Sequence, residues 1–184
     1  MVQHPESDSY LKLTKPHVGK FLIGPGVFDG ISTRLASKMG FDFLYLVGSG
    51  ATGSFVDEPD LSVMSSTEFA TTATMMVSHT DLPVIADASM GFGGPLNIVH
   101  TIRLYEHAGV AGCHIDDQVF PKGFTQLKGK DVVDLEDYLH RIRSAVKARV
   151  DPNFVIIART NARQAFRYGG RSGAETPSTR ALQG

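Results

Sequence analysis

The chain has 184 residues, 42% hydrophobic and 20% charged, the balance of a water-soluble globular protein with room for one sizeable core. A net charge of −1, from 18 basic and 19 acidic residues, offers no bulk field for nucleic acid or an anionic membrane. One cysteine, Cys113, rules out an internal disulfide and fits a reducing compartment.

Residues 1–20 read as a polar lead-in, with a short helix near Leu11 to Leu13. They carry neither a secretory apolar core nor an Arg-rich transit pattern, so cytosol is the default location, an internal or mitochondrial signal aside. No apolar run approaches the roughly 20 residues of a spanning helix. Phe21-Leu22-Ile23 begins a strand that Gly24-Pro25-Gly26 ends. A helix follows Asp29, with Ile31, Leu35 and Met39 on one apolar face and Gly40 after its end. Phe43 to Val47 is a strand stopped by the turn Gly48-Ser49-Gly50, after which small and acidic residues make a loop through Asp57, Glu58 and Asp60. Ser65-Ser66-Thr67-Glu68 is a capping box that opens a helix to about His79.

Val84-Ile85-Ala86 then forms a buried strand ending in Asp87 and a glycine-rich turn, Gly91-Phe92-Gly93-Gly94. Pro95 starts a helix with Leu96, Val99 and Ile102 inward, stopped by Gly109. Ala111 to Ile115 is the fourth strand, ending in Asp116-Asp117-Gln118. A loop containing Lys122 leads to a strongly amphipathic helix marked by Leu135, Leu139, Ile142 and Val146. Phe154 to Ala158 is the fifth strand, ending at Arg159-Thr160-Asn161. Residues 21–168 make one domain of about five βα units, and 169–184 read as a disordered tail.

Alternating strands and helices require a parallel sheet with right-handed crossovers. Length alone favours an open doubly wound sheet, because a (β/α)₈ barrel typically needs about 250 residues. The polar residues favour the barrel. Asp29, Ser49, Asp87, Asp116 and Arg159 follow successive strands, and a barrel gathers such ends around one mouth.

Asp87, Asp116, Asp117 and Asp60 form a carboxylate set of hard oxygen ligands, suited to Mg²⁺ or Mn²⁺. The Gly48-Ser49-Gly50 turn offers N–H groups to an anion, and Arg159 suits a carboxylate. Together they describe a site for a small 2-oxo acid or its enolate, with the metal stabilising charge as a bond beside the carbonyl breaks. Plainer roles compete. Asp29 reads as a cap for its own helix, Asp117 as a solvated neighbour, and Arg159 as a candidate structural ion pair. His114 reads as a packed, hydrogen-bonded core residue, Cys113 as a small buried hydrophobe, and Met75-Met76 as core. A dinucleotide fingerprint fits poorly, because its third glycine would fall at Leu96.

Several segments together resemble the isocitrate lyase / phosphoenolpyruvate mutase superfamily. They are Gly26-Val27-Phe28-Asp29, Tyr45 to Gly50, Glu58-Pro59-Asp60-Leu61, Ala86-Asp87-Ala88, His114 to Lys122, and Ile157 to Ala162. The resemblance implies a (β/α)₈ TIM barrel, here incomplete at about five units, with Mg²⁺ as cofactor. It implies cleavage of a C–C bond in a small 2-hydroxy or 2-oxo dicarboxylate through a metal-stabilised enolate. Methylisocitrate, dimethylmalate and oxaloacetate are the substrate types, and a phosphonopyruvate-type mutase or hydrolase is the alternative.

The resemblance also implies homo-oligomers formed by exchange of a C-terminal helix, which lies in units expected beyond the fifth strand. It puts Ser49 and Gly50 on the substrate carboxylate, Asp87 and Asp116 at the metal, Asp60 in its outer shell and Arg159 on a carboxylate. Lys122, with Arg159, takes a catalytic position. Two departures stand out. The superfamily's Asp-x-Asp is Asp87-Ala88-Ser89, and the run Lys122-Gly123-Phe124-Thr125-Gln126 has phenylalanine where the lyases carry an acid/base cysteine. Phenylalanine transfers no proton. A truncated or degenerate member without catalysis is therefore a second expectation, and a flavodoxin-like open-sheet binding module a third.

Overall fold

The computed structural model describes residues 21–122 and 131–167. The lead-in helix, the loop with Phe124 and the C-terminal tail lie outside the described residues. Five strands form one parallel sheet in the order β1-β2-β3-β4-β5. They are β1 (Gly26–Val27), β2 (Leu44–Leu46), β3 (Val84–Asp87), β4 (Gly112–Asp116) and β5 (Val155–Arg159). Among the described residues six helices accompany them: α1 (Gly30–Ser37), α2 (Gly48–Val56), α3 (Ser66–Val77), α4 (Pro95–Ala108), α5 (Leu135–Ala148) and α6 (Ala162–Arg167). Strands that pair strictly in chain order lack the order reversal of a doubly wound sheet and trace the arc of a barrel. Helix α4 packs between α3 and α5, so consecutive crossovers fall on the same side.

The strand register divides the sheet into two faces. Val27, Leu46, Ala86 and Cys113 are aligned across β1 to β4. With Ile115 they join Phe69, Met76, Ile98, Ile102, Tyr105 and Phe154 in a single apolar core. Cys113 is fully buried there, and burial pushes its thiol pKa upward, so it behaves as a small hydrophobe. Met76 is fully buried in the same core. The alternate positions, Tyr45, Asp87, His114, Asp116 and Arg159, lie on the other face. Residues one apart in sequence therefore serve the core and the site.

Local chemistry sets most element ends. Asp29 caps α1 by accepting the Ser32 N–H at 2.7 Å, and the Ser32 hydroxyl accepts the Asp29 N–H in return. Ser65 and Glu68 make the reciprocal pair at α3. Pro95 occupies the first turn of α4, and Gly109 ends it at φ +80°, where a side chain would strain the backbone.

Four local expectations are corrected. The first strand is Gly26–Val27 rather than Phe21–Ile23, and Phe21 and Ile23 are exposed. Ile23 instead exchanges hydrogen bonds with Asp42, through its carbonyl and the Asp42 backbone N–H and through its own N–H and the Asp42 carboxylate. Pro25, lacking an N–H, only accepts, from Tyr45, before the ladder begins. Second, the stretch after Ser49, expected as a loop, is helix α2, despite three glycines within it. Its first N–H, that of Gly48, is held by the Asp87 carboxylate, a tertiary contact that no local pattern reveals.

Third, Ile31, Leu35 and Met39 point outward, at 73%, 63% and 71% exposure, and Thr33 and Ala36 face the sheet. Helix α1 has α3 on one flank and stands at the β1 edge of the sheet, so its apolar stripe lies on the open flank. Leu96 and Val146 are likewise exposed. The buried stripe of α4 is Ile98, Thr101, Ile102 and Tyr105, and that of α5 is Tyr138, Ala145 and Ala148. Fourth, β5 is a half-covered edge strand rather than a buried one, with Ile157 and Arg159 exposed.

Candidate active site

The C-terminal ends of β2, β3, β4 and β5 converge on His114. This residue is 5% exposed, and its ring stacks on Tyr45 with centroids 5.5 Å apart. Its Nε2 lies 2.5 Å from the Tyr45 hydroxyl and 3.4 Å from Asp87 Oδ1. Its Nδ1 lies 3.4 Å from Asp116 Oδ1, without hydrogen-bond alignment. The imidazole therefore spans the two carboxylates that the sequence singles out. Asp87 and His114 are register partners, as are Asp116 and Arg159.

Asp87 is held from several sides. Oδ2 accepts the Gly48 N–H at 3.2 Å, Oδ1 accepts the Ser89 N–H at 2.6 Å, and its carbonyl accepts the buried Tyr105 hydroxyl at 2.6 Å. The approach to Gly48 demands glycine, because a Cβ there would come within 2.4 Å of Asp87 Oδ2 and 3.2 Å of Asp60 Oδ2. Asp60 is therefore near Asp87, and it binds Lys122 Nζ at 2.8 Å. That Lys122 side chain is only 8% exposed. Ser89 is buried in a left-handed conformation, φ +51°, a strained geometry for a non-glycine residue.

Asp116 accepts the Gln118 amide on Oδ2 at 2.7 Å, and Arg159 Nε stands 3.5 Å from Oδ1. Burial pushes the Asp116 carboxyl above its ordinary value of 3.8; Arg159 opposes the rise and Asp87 adds to it. Burial also lowers the His114 imidazole below its ordinary 6.5, against the pull of the two carboxylates, which favours the neutral ring. The Tyr45 phenol is pushed well up by burial, then by Asp87, and stays a donor. The Tyr45 hydroxyl lies within reach of both His114 Nε2 and Asp87 Oδ2, the latter at 3.5 Å, and so links the imidazole to the carboxylate.

Two buried oxygens here, Asp116 Oδ1 and Ser89 Oγ, have no hydrogen-bond partner. An unpaired carboxylate oxygen in a buried setting is costly unless it receives a cation or donor. Among the described residues no three His, Cys, Asp or Glu side chains are spaced to hold a metal ion by themselves. Mg²⁺ needs no such cluster, since it takes one or two carboxylates and fills its shell with water and substrate oxygens. Asp87 and Asp116 are the residues that could hold it.

Of the residues singled out from sequence, Asp87, Asp116 and Arg159 meet on one face, and Asp60 and Lys122 join them as an ion pair. Ser49 and Gly50 lie in the first turn of α2, with Ser49 exposed and Gly50 pressed against Phe28, where a Cβ would meet the ring at 2.6 Å. Asp117, expected as a solvated neighbour, is 2% exposed and bound to the Thr160 hydroxyl and the Asn161 N–H. Tyr45, His114 and Gln118 were missed as site residues. His114 is buried and hydrogen-bonded as expected, yet its place two residues before Asp116 on a strand already put both on one face.

A parallel β/α sheet bearing buried carboxylates, an arginine and a helix N-terminus at its strand ends defines a TIM-barrel-type protein. The chain belongs to the phosphoenolpyruvate phosphomutase family, which it matches over residues 13–181. It is 39% identical over 144 residues to a 2,3-dimethylmalate lyase of Eubacterium barkeri, covering 78% of this chain and 50% of that protein. A crystal structure of 2,3-dimethylmalate lyase, a PEP mutase/isocitrate lyase superfamily member, superposes with a TM-score of 0.81 at 38% identity, covering 90% of this chain and 56% of that one. A phosphonopyruvate hydrolase complexed with oxalate and Mg²⁺ superposes with a TM-score of 0.75 at 25% identity, covering 90% and 55%. The chain thus spans about half the length of the relatives it matches. No described helix is long and apolar enough to cross a membrane.

Proposed function

We propose that this chain carries the metal- and carboxylate-binding part of a carbon–carbon lyase site for a small 2-hydroxy or 2-oxo dicarboxylate of the dimethylmalate, methylisocitrate or oxaloacetate type, with Mg²⁺ or Mn²⁺ as cofactor. The observation that carries the reading is the pair of buried carboxylates, Asp87 and Asp116, at neighbouring strand ends, with Arg159 Nε 3.5 Å from Asp116 Oδ1. The kinship with a 2,3-dimethylmalate lyase and with an oxalate- and Mg²⁺-binding hydrolase supports the substrate class and the ion.

Asp87 and Asp116 would hold the cation, and Asp60 would stand in its outer shell. When bound, the cation supplies charge neutralisation at the carbonyl oxygen as the neighbouring bond breaks. Gly48 already spends its N–H on Asp87, so the next free donors of α2, at Ser49 and Gly50, receive one substrate carboxylate. Arg159 receives the other, its side chain being 45% exposed and open to solvent ligands. Lys122 is fixed by Asp60 and adds a second positive charge beside the carboxylates. His114, neutral and locked by Tyr45, keeps the two carboxylates apart without adding charge.

Titration calorimetry with Mg²⁺, followed by assay of pyruvate or glyoxylate release from the three dicarboxylate types, tests this reading. Saturable Mg²⁺ binding together with turnover of at least one substrate is expected. Absence of both would sink it. Mg²⁺ and oxalate binding without turnover would instead favour a binding-competent, non-cleaving member, which Phe124 in place of an acid/base residue specifically supports.

A further inference from the structure

We infer that Asp117 is a positioning residue: through Thr160 and Asn161 it sets the direction of Arg159 and thereby the site's grip on a dicarboxylate. The inference rests on Arg159 as the carboxylate-binding group. Asp117 directly follows Asp116. Its Oδ2 accepts the Thr160 hydroxyl at 2.5 Å and its Oδ1 accepts the Asn161 N–H at 2.8 Å. Those two donors are the first residues after Arg159. The Asp117 carbonyl also accepts the Val133 N–H at 2.9 Å, which ties the same residue to the segment leading into α5.

The clasp matters because β5 is the half-covered edge of the sheet. Arg159 is nearly half exposed, and among the described residues its guanidinium makes one ion pair in the site, the 3.5 Å approach to Asp116. Nothing in that contact alone would hold a long guanidinium side chain in one orientation. The backbone leading out of its Cα, by contrast, is held from the Arg159 carbonyl to the Asn161 N–H. The Tyr138 hydroxyl is shared between the Arg159 carbonyl at 2.8 Å and the Ile115 carbonyl at 3.0 Å, and Asp117 holds the next two residues. A buried carboxylate satisfied by one hydroxyl and one backbone N–H is a rigid clasp, and its bonds are stronger for the charge. Asp116 and Asp117 thus divide the work. One faces the ligand site, and its neighbour fixes the arginine that completes it.

The test is a double-mutant cycle on the full chain, with oxalate plus Mg²⁺ as the probe in calorimetry. Arg159→Met is expected to weaken oxalate binding at least about tenfold. Thr160→Val, which removes the hydroxyl, is expected to weaken it about fivefold in the native background and not at all with Arg159→Met present. Thr160→Ser, which keeps the hydroxyl, restores affinity. Equal losses from Thr160→Val in both backgrounds, or no loss in either, would overturn the positioning role while leaving Arg159 in place. No effect of Arg159→Met would remove the arginine reading itself, and the inference with it. Asp117→Asn, which keeps the shape and one acceptor, is expected to fall between Thr160→Ser and Thr160→Val; affinity unchanged by Asp117→Asn would count against the clasp.

Discussion

The two faces of one sheet obey opposite rules. On the helix-covered face, Leu46, Ala86, Cys113 and Ile115 are fully buried, and they carry no group that needs a partner other than packing. On the other face, Asp87, His114 and Asp116 are almost as deeply buried, yet they keep an oxygen without a hydrogen bond and carboxylates brought close together. The first face lowers the free energy of the fold. The second raises it and holds the cost in reserve for a ligand. Strand alternation allows both in five consecutive residues, Gly112 to Asp116.

The comparison breaks most sharply at adjacent positions of β4. Ile115→Ala should cost about 2–5 kcal/mol in urea unfolding, because it opens a cavity in the core. Asp116→Asn should leave the apo melting temperature unchanged or higher, since it removes a desolvated charge beside Asp87, yet weaken Mg²⁺ binding at least about tenfold. A large loss of apo stability in Asp116→Asn would place that carboxylate in the structural class instead.

The pH dependence sharpens the same contrast. The Asp116 carboxyl holds its proton above pH 3.8 in the folded chain, so between that pH and its raised folded value the folded state binds more protons than the unfolded one. Apo stability therefore falls as pH rises through this window, and Asp116→Asn removes the slope. Mg²⁺ affinity has the opposite course, declining as pH is lowered through the raised value, and calorimetry across an acid series would record it.

A smaller effect is expected at the cap of α1. Ser32 lowers the Asp29 carboxyl below 3.8 through its N–H and its hydroxyl. The stabilisation is present above the unfolded value and lost as pH falls through the folded one. Asp29→Ala should cost about 1 kcal/mol at pH 7, and Asp29→Asn much less, while Asn removes the acid-side dependence. Chemical denaturation at pH 7 and pH 3 distinguishes them.

Short-range chemistry was legible in the amino-acid sequence by itself. The caps at Asp29 and Ser65, the stop at Gly109, the five strand–helix units, and carboxylates at the ends of β3 and β4 all follow from residues within a few positions of one another. So did Asp87, Asp116 and Arg159 as one constellation, because a parallel sheet brings successive strand ends together. What local pattern could not decide were outcomes set by a partner distant in sequence. Helix α2 starts on a glycine because Asp87, 39 residues away, receives its N–H. The apolar stripe of α1 faces outward because that helix stands at the sheet's edge. His114 lies between two carboxylates, and Asp117 meets Thr160 and Asn161, because pairing of β3, β4 and β5 set their register. Hydrophobic periodicity and capping are properties of a segment, whereas burial, register and the direction of a side chain belong to the packed sheet, and only the tertiary structure decides them.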